Sequence, residues 1–147
     1  MISKNKYLAF VLSERSRAEI LTACPPSFEK IVAHHVTLFF AGSESQYTET
    51  INLVGKDPVV EAVGCLTSDG VEAILISING KMLRVADDKI FHCTLSLAEG
   101  HKPVESNALI DKNWPPKPNQ YLNKGVVPKY RNLNNLKLTG KVQELQK

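Results

Sequence analysis

At 147 residues, with 43% hydrophobic and 22% charged side chains, the chain has room for one core and the balance of an ordinary globular domain. That excludes wholesale disorder and a fibrous architecture. Its net charge of +3 suits a small polyanionic ligand and falls short of the Lys/Arg density that holds long duplexes.

Residues 6–13 read as a first strand and 14–23 as a helix with Ser13 as N-cap, closed by Pro25 and Pro26. A second strand is expected over 31–40, ended by Ala41-Gly42. The polar stretch 43–47 leads to a shorter apolar run at 51–54. Residues 58–67 and 71–79 form a predicted hairpin, because Ser68-Asp69-Gly70 has turn chemistry that tolerates positive φ. Asn79-Gly80 offers another turn, 82–85 is ambiguous, and 89–97 is a further strand. A helix is expected over 103–110, with Pro103 in its first turn, where a missing N–H is harmless. Residues 113–129 hold Pro115, Pro116, Pro118 and Pro128, so they are expected as an extended surface loop, and a final strand covers about 133–145. Strands outnumber helices with mostly antiparallel neighbours, which predicts a single α+β domain over residues 1–147.

No apolar run has the length of a secretory or membrane-spanning segment, so the expected protein is soluble, with no membrane partner and no evident obligate protein partner. Cys24, Cys65 and Cys93 leave an odd thiol and show no C-x-x-C spacing, which argues against a disulfide framework or a zinc knuckle and for a reducing cytoplasm.

One short sequence occurs twice. His35-Val36-Thr37-Leu38-Phe39-Phe40-Ala41-Gly42 overlays His92-Cys93-Thr94-Leu95-Ser96-Leu97-Ala98-Glu99-Gly100 with one inserted residue. Strand alternation sends Val36, Leu38 and Phe40 to the core in the first copy, and Phe91, Cys93, Leu95 and Leu97 in the second. His35, Thr37 and Phe39, and likewise His92 and Thr94, then share the opposite face. Two such strands lining one cleft bring together two imidazoles and two hydroxyls. That set matches what phosphodiester hydrolysis needs: one neutral imidazole to take a proton from water as it attacks phosphorus, and the other, as imidazolium, to protonate the departing sugar oxygen. The threonines are suited to donate hydrogen bonds to the non-bridging phosphate oxygens. No metal and no cofactor are required.

These paired motifs resemble the H-x-T-x signatures of the 2H phosphoesterase superfamily. That superfamily includes LigT-like enzymes, the cyclic phosphodiesterase domain of fungal tRNA ligases, and phage nucleases that destroy the cyclic oligonucleotides of CBASS immunity. The stretch 102–110 is also similar to a segment that follows the second motif in the tRNA-ligase branch. The resemblance implies a bilobal fold of two pseudo-symmetric antiparallel sheets with outer helices and a central cleft. It implies metal-independent hydrolysis of RNA-type phosphodiesters, with His35 and His92 catalytic and Thr37 and Thr94 binding phosphate. Two substrates remain open: an RNA 2′,3′-cyclic phosphate end, or a cyclic oligonucleotide signal in the cytoplasm, the host's own if the gene is carried by a phage. A self-sufficient small chain leans toward signal destruction, the stretch 102–110 toward repair. The alternative is a non-catalytic nucleotide-binding module that keeps the cleft.

Among the remaining residues, His34 is expected at the edge of the core, pointing away from His35, and His101 solvated in a loop. A zinc site from His34, His35, His92 and His101 is disfavoured, because adjacent strand residues face opposite ways. Trp114, Tyr121, Tyr130 and Arg131, with Lys117, Lys124 and Lys129 nearby, combine stacking rings with cations and fit a substrate cap. The competing reading is that Trp114 and the prolines cover a sheet edge. Tyr7 and Phe39 are further base-stacking candidates.

Overall fold

A computed structural model describes residues 2–115 and 129–147. In chain order the elements are β1 (Lys6–Leu12), α1 (Glu14–Ala23), β2 (Lys30–Ile31), β3 (His35–Phe39), α2 (Glu44–Val54), β4 (Val60–Thr67), β5 (Val71–Ile78), β6 (His92–Leu97), α3 (Glu105–Asn113), β7 (Lys129–Leu138) and β8 (Gly140–Gln146). The fold is α+β, as the sequence predicts. Strands β3-β1-β8 form a three-stranded sheet and β2-β6-β5-β4-β7 a five-stranded one, both antiparallel. Helices α1 and α2 pack on β1 and β3, and α3 on β4 and β5, so each sheet carries its own helical cover.

The core follows from which strand faces are apolar. Phe10, Ile20, Val36 and Leu38 of the smaller lobe pack in one cluster with Ile74, Ile76, Phe91, Cys93 and Leu95 of the larger. The other face of the five-stranded sheet buries Leu66, Leu75 and Leu97 against Leu109 and Ile110 of α3. Strand β5 is covered on both faces, which is why its sequence is apolar almost throughout rather than alternating.

Several predicted elements hold and several are redrawn. Ser13 caps α1 through its hydroxyl, which accepts the Ser16 N–H, and β4–β5 is the expected hairpin, with Gly70 at φ +114. A Cβ at Gly70 would lie 2.3 Å from Nε2 of His101, so that histidine sits over the turn and contacts Glu105 at 3.1 Å rather than standing free in solvent. Residues 43–54, expected as a polar stretch and a short apolar run, form helix α2, begun by a capping box between Ser43 and Gln46.

The predicted strand over 31–40 is two strands in different sheets. Ala33 takes φ +41 between β2 and β3, a left-handed conformation that ends one ladder before the other begins. The crossing is pinned by its backbone: Val32 N–H donates to the Leu95 carbonyl at 2.8 Å and Ala33 N–H to that of Thr94 at 2.9 Å, while Leu12 N–H donates to His34 at 3.0 Å. The predicted final strand divides likewise into β7 and β8. Between them, Thr139 N–H donates to Ser16 Oγ at 2.7 Å and the Thr139 carbonyl accepts Ser13 N–H at 2.9 Å, which ties this second crossing to the start of α1.

Glu72 on β5 is a buried polar knot. Its Oε1 accepts from Ser27 N–H at 3.0 Å and Ser96 Oγ at 2.8 Å, and its Oε2 from Ser27 Oγ at 2.8 Å and Thr67 Oγ1 at 2.6 Å. Cys24 and Cys65 lie beside it, their sulfurs and the carboxylate within 4.8 Å of one another, a grouping that sequence spacing did not show. All four acceptor positions of the carboxylate are taken by hydrogen bonds, so its chemistry here is structural.

Candidate active site

Each motif opens its strand: His35 is the first residue of β3 and His92 the first of β6, and the two strands lie against each other. His35, Thr37, His92 and Thr94 line a single cleft of about 480 Å³, whose wall also includes Tyr7, Phe40, Arg84, Asp87, Pro103, Val104, Asn107 and Lys147. Alternation therefore places the four motif side chains as expected, on the face opposite Val36, Leu38, Cys93 and Leu95.

The two imidazoles are held differently. His92 Nδ1–H donates to the Ile90 carbonyl at 2.9 Å, which leaves Nε2 for the cleft. His35 Nε2 lies 3.1 Å from the Tyr7 hydroxyl, and its Nδ1 lies 3.0 Å from Nδ1 of His34. For His35 to act as a base, Nε2 must accept. The consistent hydrogen placement then has Tyr7 donating to Nε2 and His35 Nδ1–H donating to His34.

Their proton affinities differ as well. Burial disfavours the His35 imidazolium, and charge on His34 and then on His92 adds to the effect, so its pKa falls to about 4. His92 is also lowered, mainly by burial and further by Arg84, but the Ile90 carbonyl and the carboxylates of Asp87 and Asp111 oppose that fall. Cys93 lies between His92 and Thr94 on the core side, where burial pushes its thiol up to about 12. It offers no nucleophile near neutrality.

Thr94 is buried and braced by helix α3. Its Oγ1 lies 3.0 Å from Ser106 Oγ, and it reaches the Pro103 carbonyl only at a long 3.5 Å. If Ser106 donates to Thr94, the single Thr94 hydroxyl proton is left for an acceptor in the cleft. Ser106→Ala is therefore expected to lower kcat by about 3- to 10-fold with little change in KM, since one neutral hydrogen bond is worth about 0.5–1.5 kcal/mol. Steady-state kinetics on a variant of unchanged circular dichroism checks this.

The stacking residues need correction. Phe39 is only 1% exposed and packs edge-on to Tyr47, whereas Phe40 is 51% exposed and lies in the cleft wall, 5.4 Å from the Tyr7 ring. The cause is a register irregularity opposite Leu8/Ala9: Leu8 pairs with Phe39 but Ala9 with Thr37, so Leu38 is an extra residue and the alternation reverses after it. Lys147 Nζ lies 4.5 Å over the Phe40 ring. Tyr7 faces the cleft as expected.

Trp114 and Tyr130 pack on each other at 5.8 Å within the outer cluster, where a Cβ at Gly64 would lie 2.2 Å from the Tyr130 hydroxyl oxygen. Arg131 donates to the Ala23 carbonyl at 3.3 Å. None of these three lines the cleft among the described residues, and Trp114 packs on the outer apolar cluster, in keeping with the sheet-covering reading for that residue. Tyr121, Lys117 and Lys124 lie outside the described residues. His34 is exposed rather than at the core edge; it precedes β3, so alternation does not govern it, and its ring meets His35 edge-on at 5.2 Å. The argument that adjacent histidines must diverge therefore fails at this pair.

Sequence reasoning missed Phe40, Arg84, Asp87, Ser106, Asn107 and Lys147. Arg84 and Asp87 had a local signal, opposite charges three residues apart ahead of a turn, but nothing in it pointed to the cleft.

No protein-family model matches the chain, and no curated protein matches it. Among solved structures, the crystal structure of a fungal RNA kinase superposes with a TM-score of 0.64 at 17% identity, over 99% of this chain and 46% of that one. The chain thus spans about half the length of that protein, and at this identity the likeness is one of fold. No helix among the described residues is long and apolar enough to cross a membrane.

Proposed function

We propose that the chain is a metal-independent phosphodiesterase of the 2H type, acting on RNA-type phosphodiesters of small nucleotide substrates. The observation that carries this reading is the convergence of two His-x-Thr pairs, from two sheets, on one cleft. The likeness in fold to an RNA kinase is in keeping with RNA-directed phosphoryl chemistry.

In this reading His35 is the base and His92 the acid. His35, neutral above about pH 4, accepts a proton from water attacking phosphorus. His92 has a backbone carbonyl and two carboxylates favouring its imidazolium, and it protonates the leaving sugar oxygen. Thr37 and Thr94 donate to the non-bridging oxygens, where negative charge builds up. Phe40 offers a platform for one base, and substrate displaces the Tyr7 hydroxyl from His35 Nε2.

The pH dependence follows with a definite sign. Activity requires neutral His35, so kcat/KM falls as pH drops through about 4. It also requires protonated His92, so kcat/KM falls as pH rises through a value below the ordinary 6.5. The expected profile is a bell with its maximum on the acid side of neutrality. A flat profile, or one that peaks above about pH 8, would remove the acid–base assignment.

The direct test is incubation in EDTA with nucleoside 2′,3′-cyclic phosphates and a panel of cyclic dinucleotides, with products resolved by chromatography. Cleavage is expected, and the substrate turned over distinguishes repair-type from signal-destroying activity. Binding without any product would instead establish a nucleotide-binding module.

A further inference from the structure

We propose that Arg84 is the cation that grips the reacting phosphate on the His92 side of the cleft, with Asp87 holding its guanidinium in place. The inference rests on the phosphodiesterase reading. Arg84 shares the cleft wall with all four motif side chains. Its Nε and Nη2 donate to the two oxygens of Asp87 at 3.0 and 2.7 Å, a fork that fixes the plane of the group. Nη1 has no hydrogen-bond partner among the described residues.

The turn beneath is built to hold this geometry. Lys89 N–H donates to Asp87 Oδ1 at 3.1 Å, Arg84 N–H to the Lys89 carbonyl at 2.7 Å, and Asp88 N–H to the Arg84 carbonyl at 3.0 Å. The Arg84 side chain is only 11% exposed, unlike Arg15 of the surface pair Arg15–Glu19, at 88%. Asp87 offsets part of the charge, so what the guanidinium brings to an anion is chiefly a fixed N–H edge, oriented before the ligand arrives as a mobile surface cation is not. The motif residues supply only neutral or titrating donors, and the other cation of the lining, Lys147, lies over Phe40. Arg84 is thus the permanently protonated, pre-positioned donor available to a phosphorane-like transition state.

The test compares Arg84→Met, Arg84→Lys and Asp87→Asn on adenosine 2′,3′-cyclic phosphate, which has one phosphate, and on cyclic di-adenosine monophosphate, which has two. Arg84→Met is expected to lower kcat/KM by about tenfold to a hundredfold on whichever substrates are cleaved, as for loss of a charge-assisted hydrogen bond. Arg84→Lys should recover part of that loss, and Asp87→Asn, which breaks the same ion pair but keeps the guanidinium, should lose less. Equal losses in Arg84→Met and Asp87→Asn would overturn the proposal, because a turn-stabilising pair predicts that result. A loss confined to the two-phosphate substrate, with both cleaved by the unaltered protein, would overturn it too. If the unaltered protein cleaves neither, the phosphodiesterase reading fails on its own, and calorimetry with adenosine 3′-monophosphate against adenosine still decides on Arg84. Affinity that depends on the phosphate and falls about tenfold in Arg84→Met supports the contact, and any other result overturns it.

Discussion

Alanine at His92 is expected to lower kcat by about 10²- to 10⁴-fold, the range for a general acid, while KM moves little. In the proposed reading the imidazole acts through Nε2 alone, since Nδ1 is bound to the Ile90 carbonyl, and its cleft neighbours Arg84 and Asp87 are engaged with each other. His35→Ala should lose a similar factor, and the double variant little more than either single one, because acid and base serve one step. Thr37→Ala or Thr94→Ala should lose less, on the order of 10² for one oxyanion donor. Single-turnover rates with a 2′,3′-cyclic nucleotide make the comparison, with folding verified by circular dichroism. His92→Ala retaining more than about a tenth of the activity would show that the acid lies elsewhere.

Glu72→Ala should produce the largest loss of stability, about 3–5 kcal/mol in urea denaturation. The carboxylate accepts four hydrogen bonds from Ser27, Thr67 and Ser96, and its removal leaves the buried hydroxyls of Thr67 and Ser96 without their acceptor and unties the loop at Ser27. Glu72→Gln should cost less, because one oxygen remains an acceptor while the new NH₂ opposes donors on the other side. Since Ser96 lies two residues beyond Thr94 on β6, activity should fall with the folded fraction rather than through a change in KM. A midpoint unchanged in Glu72→Ala would mean that these donors find other partners.

Much of the candidate site's geometry was legible in the sequence. Two copies of His-x-Thr on strands with apolar alternate positions fix which side chains leave the core, and both the fold class and the four-residue constellation follow from strand alternation and the motif resemblance. What was not legible depends on departures from regularity. The extra residue at Leu38 exchanges Phe39 and Phe40, and no local composition announces a bulge there. Ala33 has no glycine-like preference for positive φ, so the break that sends β2 and β3 to different sheets is imposed by the sheets themselves. The signal for α2 was present in Ser43 and Gln46, and it was masked by a helix whose exposed face is polar and whose apolar residues are few. Arg84 reaches the cleft only through tertiary placement, beyond the range of any local pattern.

At residues 32–34 and at Thr139 the chain passes directly, with no helix between, from a strand of one sheet to a strand of the other, and hydrogen bonds of the main chain pin each crossing. Jaws stitched at both seams and packed on one shared apolar cluster are expected to hold the histidine-bearing strands at one separation, as a locked calliper does. Discrimination among ligands then belongs to the rim, to the aromatic pair of Tyr7 and Phe40 and to the turn of Arg84, where a single rotamer can narrow or widen the entrance while the gauge beneath keeps its width.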